Sequence, residues 1–294
     1  MPRFRPGNND MTDQDFANLD AAVRGRLADC QRILRDLRRV VVAFSAGVDS
    51  TFLLALAART LGAGNVLAAM GVSPSLADRE RRHGRRLAEQ TGAELVEVTT
   101  GELDDPDYRA NPATRCYYCK SDLFRRLGAL AAERGFGHVV SGANVDDRGD
   151  FRPGLEAGEK LGVRSPLMEA GLTKQDIRAA SRAMGLETWD KPAMACLASR
   201  IPYGQSVTAE KLARIERAED VLKELGFAQC RVRDHGALAR IEVPAEQIVR
   251  AVALRAALVE ALKAGGYTYA TIDLEGFRSG SMNEVLQARA STGQ

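Results

Sequence analysis

Apolar residues fall along this chain in short runs separated by amphipathic stretches, and that alternation predicts an α/β fold. Val40-Val41-Val42-Ala43-Phe44 is apolar at every position and reads as a buried strand, followed by a helix over Ser50–Leu61. Val66–Val72 predicts a second strand and Leu76–Thr91 a helix with the charged face Asp78-Arg79-Glu80-Arg81-Arg82. Glu94–Thr99 predicts a third strand, Tyr118–Arg134 a helix and Gly137–Gly142 a fourth strand. Strands alternating with helices imply βαβ units, a parallel sheet, and ligands at the carboxyl ends of its strands. Gly101–Thr114 and Asn144–Gly154 read as polar, proline-containing loops.

Thr173–Met184 predicts an amphipathic helix, with Thr173 as N-cap, Asp176 three residues on and Gly185 as its stop. Thr208–Leu225 predicts another, capped by Thr208 and stopped by Gly226. Beyond it the grammar changes. Gln229–Asp234 and Ala237–Val243 read as two strands of a hairpin around His235-Gly236, Ala245–Lys263 as one helix, and Tyr267–Leu274 as a last strand. The expected organisation is a loose tail over 1–20, with Met11 an alternative start, a main domain over 21–204 and a smaller α+β domain over 205–294. No repeat or low-complexity tract interrupts it.

Composition narrows the function classes. With 294 residues the chain can bury a proper core, and a net charge of +2 gives no argument for a nucleic-acid partner. No apolar run approaches the ~20 residues of a membrane span, and no signal-peptide core is present, so the expected location is the cytosol. Five cysteines without a secretory signal argue against a disulfide framework.

The chemistry concentrates at a few places. Ser45-Ala46-Gly47-Val48-Asp49-Ser50 lies between the first strand and its helix, where backbone N–H groups and a helix N-terminus make an anion site. Gly47 permits close approach, and Ser45 and Ser50 add small donors. Asp49 would repel a phosphate unless Mg²⁺ bridges them or a backbone N–H holds it. The loop has no lysine, so it is not the Gly-x-x-x-x-Gly-Lys type. It resembles the S-x-G-x-D-S loop of enzymes that cleave ATP between the α- and β-phosphates. After the fourth strand, Gly142 permits close approach, Asn144 is a candidate ribose or phosphate ligand, and Asp146, Asp147 and Asp150 are candidate Mg²⁺ ligands. Arg152-Pro153-Gly154 reads as a tight turn whose arginine reaches a phosphate.

Cys116-Tyr117-Tyr118-Cys119 places two thiols at a spacing that suits one metal centre or a redox pair. Cys196 offers a third, inside the shaped loop Trp189–Gly204 that Pro192 and Pro202 keep from being one helix. Three thiolates suit a [4Fe–4S] cluster with one iron open. Cys30 and Cys230 are assigned to packing, and His83, His138 and His235 form no ligand pattern. Ser199-Arg200 and Arg231-x-Arg233 offer hydroxyl and guanidinium donors for an anionic substrate, the latter two on one strand face.

SAGVDS, NPATRCYYCK, SGANVDDRGDFRPG, GVRSPL, KPAMACLASRIPYG and TIDLEGFRSGSMNE together resemble the LarE family, over about Leu34 to Leu286. The resemblance implies a PP-loop ATP pyrophosphatase domain (adenine nucleotide alpha hydrolase-like, Rossmann-like) and a sulfurtransferase that helps make the nickel-pincer nucleotide. Members of that family adenylate a carboxylate of pyridinium-3,5-biscarboxylic acid mononucleotide, release pyrophosphate, and form a thiocarboxylate. Some sacrifice a cysteine sulfur; others carry sulfur on a [4Fe–4S] cluster. The pattern Cys116, Cys119 and Cys196 places this chain with the cluster type. The resemblance further implies ATP and Mg²⁺ at Ser45, Ala46, Gly47, Asp49, Ser50, Met70, Gly142 and Asn144. Ser199, Arg200, Glu219, Arg231 and Arg233 would hold the substrate's phosphate, and the chain would assemble as a homo-oligomer. The family often has Gly where this loop has Ala46, a harmless departure if Ala46 has negative φ. The rival readings are a tRNA thiolase, which needs a basic stripe, an ammonia-using synthetase, which needs no thiols, and a nucleotide-binding or iron–sulfur carrier without synthase activity.

Overall fold

The structure is a computed structural model that describes residues 15–149, 152–192 and 194–278. Asp150, Met11 and most of the expected tail, and the end of the last motif lie outside the described residues. The chain forms two compact units. The first is drawn from residues up to Ser73, Asp78–Glu102 and Cys116–Met194; the second from Pro74–Ala77, Leu103–Arg115 and Ala195 onward.

In the first unit, α1 (Ala21–Leu37) leads into β1 (Val40–Ala43), α2 (Val48–Leu61), β2 (Val66–Val72), α3 (Asp78–Thr91) and β3 (Glu94–Thr99). Then follow α4 (Arg115–Glu133), β4 (His138–Val140), α5 (Pro153–Lys160), α6 (Pro166–Glu169) and α7 (Lys174–Ala183). The four strands pair in parallel in the order β3-β2-β1-β4, with Val40 facing Val66 on one side and His138 on the other. Chain order runs outward through β1, β2 and β3 and then jumps to the opposite side of β1. The topological switch point therefore lies between β1 and β4, where open α/β sheets bind ligands.

Both faces of this sheet are covered. Val41, Leu67 and Ala69 pack on Phe124, Leu127 and Ala131 of α4, while the alternate residues Val40 and Val42 are equally buried. Phe52 to Ala57 are all fully buried, so α2 has no polar face and packs among α1, α3 and α7. The second and third strands match the sequence reading residue for residue. Two expectations are corrected. Helix α4 starts at Arg115, so both cysteines of the pair sit inside its first turns. Arg152-Pro153-Gly154 is not a tight turn: Pro153 begins α5, its missing N–H being one the first turn leaves unpaired anyway.

The second unit contains α8 (Ala209–Glu224), β5 (Arg231–His235), β6 (Leu238–Glu242), α9 (Ile248–Ala253), α10 (Arg255–Ala264) and β7 (Tyr269–Ile272). β5 and β6 form the expected antiparallel hairpin, turning at Gly236 with φ +74°, and β7 adds in parallel to β6. Val232, Ala239 and Ile241 pack on Leu222, Phe227, Leu258 and Leu262 as a separate core. The single helix expected over Ala245–Lys263 is broken at Leu254, whose N–H bonds to both Arg250 and Ala251 carbonyls. The break lets Ala251 on one helix and Leu258 and Leu262 on the next join the same core. No helix of the described residues is long and apolar enough to cross a membrane.

Candidate active site

The loop after β1 is shaped by its own serines. Gly47 caps α2 in extended geometry (φ −82°, ψ 171°) and leaves the first helical N–H groups for an outside acceptor. Ser50 Oγ accepts the Ser45 N–H at 3.2 Å and lies 3.1 Å from Ser45 Oγ, so two hydroxyls and the helix N-terminus converge. Ala46 is a correction: its φ is +56°, not negative. The left-handed region costs an L-residue about 1–2 kcal/mol, which is the physical reason for glycine at such a position. Ala46 is held there with its side chain 1% exposed and its carbonyl accepting a bond from Lys191 Nζ at 3.1 Å. Gly142, after β4, lies against the backbone at the start of α2. A Cβ on it would stand 2.8 Å from Ser50 N and 3.0 Å from Asp49 C, both backbone atoms.

Two lysines reach this loop from far along the chain, and sequence reasoning missed both. Lys174, the first residue of α7, pairs through Nζ with Asp49 Oδ2 across 125 residues. Lys191 bridges Ala46 O and Glu80, 2.9 Å from the latter carboxylate. Nothing local marks either lysine as a loop partner; the only hint was the loop's lack of a cation of its own. Asp49 Oδ1 is buried and has no hydrogen-bond partner among the described residues.

The carboxylates after β4 divide by role. Asp147 Oδ2 accepts the Asn144 N–H at 2.9 Å and Oδ1 pairs with Arg152 at 2.9 Å, so Asp147 shapes its own loop. Arg152 pairs with Asp147 in the ligand-free chain. Asn144, 2% exposed, accepts the Asp146 N–H, and Asp146 Oδ2 accepts the Lys174 N–H at 2.6 Å. Met70 is 2% exposed in β2 beneath Gly84, where a Cβ would meet its sulfur at 3.0 Å.

All five cysteines are thiols. Cys116 is exposed and Cys119 half-buried, three residues apart on α4 and hence on one helical face. Cys196 is exposed and precedes a single 3₁₀ turn, Leu197–Arg200, in the second unit. Among the described residues no group of three or more His, Cys, Asp or Glu side chains is gathered as a metal site. Cys30 and Cys230 are fully buried, and burial pushes the Cys30 thiol up to about 12.

The second unit assembles the remaining candidates. Arg200, 1% exposed, makes a two-pronged ion pair with the fully buried Glu219 at 2.8 and 3.2 Å and also donates to Cys196 O at 3.0 Å. Arg233 does the same with buried Glu242 at 2.9 and 2.7 Å and donates to Ser199 O at 3.0 Å. Arg231, on the same strand face, has no carboxylate partner among the described residues. It donates to Cys230 O at 2.7 Å and lies over the Phe277 ring. Burial, with Arg200 nearby, lowers its guanidinium to about 10. A buried guanidinium of this kind has donors that an anion could take up. The segment bearing Cys196 and Ser199 is fixed by buried Asn111, whose amide donates to the Ile201, Pro202 and Gln205 carbonyls. Arg115 links Asn111 Oδ1 at 2.5 Å to Ala198 O at 3.0 Å. Sequence reasoning assigned neither residue.

No family model matches the chain. It is 40% identical over 253 residues to the pyridinium-3,5-bisthiocarboxylic acid mononucleotide synthase of Lactiplantibacillus plantarum, covering 86% of this chain and 92% of that protein. An uncharacterized protein of Synechocystis is 43% identical over 267 residues, 90% of this chain and 99% of its own length. An uncharacterized protein of Methanocaldococcus jannaschii is 25% identical over 242 residues.

Proposed function

The chain belongs to the LarE family, and we propose that it inserts sulfur into a pyridinium-3,5-dicarboxylate mononucleotide, activating the carboxylate with ATP and releasing pyrophosphate. The observation that carries the ATP half is the loop at the sheet's switch point, where Ser45 and Ser50 hydroxyls, the α2 N-terminus and the glycine backbone at 142 converge. A free carboxylate is a poor electrophile; transfer of AMP to it creates a leaving group that sulfur can displace. The helix N-terminus and hydroxyls stabilise the charge that develops on pyrophosphate. Asp49, with one buried oxygen unpartnered, fits Mg²⁺, which would supply a counter-charge to the same oxygens.

Arg231 would take the nucleotide's own phosphate, since among the described residues it alone of Arg200, Arg231 and Arg233 has no carboxylate in ion-pair contact. Arg200 and Arg233, each fixed by a buried glutamate, donate directly to Cys196 O and Ser199 O and would line the same phosphate site with Ser199. Cys116 and Cys119, on one face of α4, are two of the thiols that would hold a [4Fe–4S] group, with Cys196 proposed as the third donor. When bound, that group supplies the sulfur. The test is an anaerobic incubation of the purified protein with ATP and the pyridinium dicarboxylate mononucleotide, followed by mass spectrometry. Pyrophosphate released only with the acceptor present, together with exchange of one oxygen for sulfur, is the expected result. Pyrophosphate release indifferent to the acceptor would overturn the reading.

A further inference from the structure

The anion loop carries a carboxylate at its centre, and a lysine from a distant helix neutralises it. Asp49 is the second residue of α2, close to where a pyrophosphoryl group would sit, and its negative charge opposes that group. Lys174 Nζ pairs with Asp49 Oδ2, so the resting site is locally neutral. Asp49 Oδ1 remains buried and unpartnered, which is costly for a carboxylate oxygen unless a further ligand arrives. Lys174 is anchored at its backbone and partly exposed along its side chain. Thr173 and Asp176 form a reciprocal capping box around it, and its N–H donates to Asp146 Oδ2 at 2.6 Å. Among the described residues its side chain, 34% exposed, makes no other hydrogen bond than the one to Asp49.

We propose that Lys174 is an exchangeable counter-ion. It holds Asp49 in the resting chain, is displaced when a divalent cation takes Asp49, and then places its ammonium on the pyrophosphoryl oxygens. The exchange converts a neutral pair into a site carrying a divalent cation and a released ammonium. Lys174 thereby serves as the lysine that the loop sequence lacks. Cation and lysine compete for Asp49, whereas lysine and nucleotide cooperate. The proposal rests on the ATP-dependent reading above.

That opposition supplies the test. Titration calorimetry with MgCl₂ alone and with the magnesium complex of an α,β-non-hydrolysable ATP analogue should be run on the wild-type protein and on Lys174→Met and Lys174→Arg. Lys174→Met should bind Mg²⁺ alone about tenfold more tightly and the nucleotide complex about tenfold more weakly, one charge-assisted contact changing hands in each case. Lys174→Arg should recover most of the nucleotide affinity. Misfolding cannot move two affinities in opposite directions. Nucleotide binding that stays at the wild-type level in Lys174→Met, or Mg²⁺ affinity that does not rise, would overturn the exchange alone. Wild-type protein that binds neither the analogue nor inorganic pyrophosphate would overturn the ATP reading as well.

Discussion

Gly142→Ala tests whether the β4 loop and the α2 N-terminus form one rigid cradle. The added Cβ would meet Ser50 N at 2.8 Å and Asp49 C at 3.0 Å, where ordinary contact begins at 3.4 Å. Both neighbours are backbone atoms of a helix whose next turns, Thr51 to Ala57, are almost wholly buried, so neither can rotate away. Relief requires a relative shift of about 0.6 Å, the difference between 3.4 and 2.8 Å. Overpacking of this kind costs about 1–3 kcal/mol, or roughly 2–10 °C in melting temperature. The same shift misaligns the Ser50 N–H and Ser45–Ser50 hydroxyl pair against a bound phosphate. Loss of one good charge-assisted bond weakens binding by about tenfold or more. Differential scanning calorimetry and analogue titration on one preparation measure both effects. A variant with unchanged melting temperature and unchanged nucleotide affinity would refute the reasoning, because the loop would then be free to yield.

Arg231→Met should stabilise the ligand-free protein by about 2 kcal/mol, since it removes a buried cation with no carboxylate in ion-pair contact among the described residues, while abolishing substrate binding and sparing ATP affinity. Urea unfolding that shows destabilisation would count against an empty anion receptor there. Cys119→Ala, purified without oxygen, should lose its iron chromophore and keep nucleotide binding; an unchanged spectrum would remove Cys119 from the donor set. Cys30 gives a pH signature. Its folded thiol lies at about 12 against 9.0 unperturbed. Between those values the unfolded chain has lost a proton that the folded chain keeps, so stability falls as pH rises, by about 1.4 kcal/mol per pH unit. Unfolding curves for Cys30→Ala should lack that component between pH 9 and 10.5.

Sequence by itself determined the parallel order of elements, because apolar runs and capped amphipathic stretches are local patterns that reflect burial and period. Val66–Val72, Glu94–Thr99 and the Thr173 capping box were legible for that reason. The turn from β1 into α2 at Ser45–Ser50 was legible too, since it is a short motif set by spacing within a few residues. Residues brought together from afar were not. Lys174 and Lys191 meet the loop only because α2, α3 and α7 share one core, and no pattern near either lysine records it. The left-handed turn at Ala46 was equally hidden, for alanine there runs against its own backbone preference and is held by the Lys191 bond and close packing. Arg200 and Arg233 read alike with Arg231 in sequence. Only tertiary structure separated them, because Glu219 and Glu242 pair directly with two of the three guanidiniums, and among the described residues the third has no carboxylate in ion-pair contact.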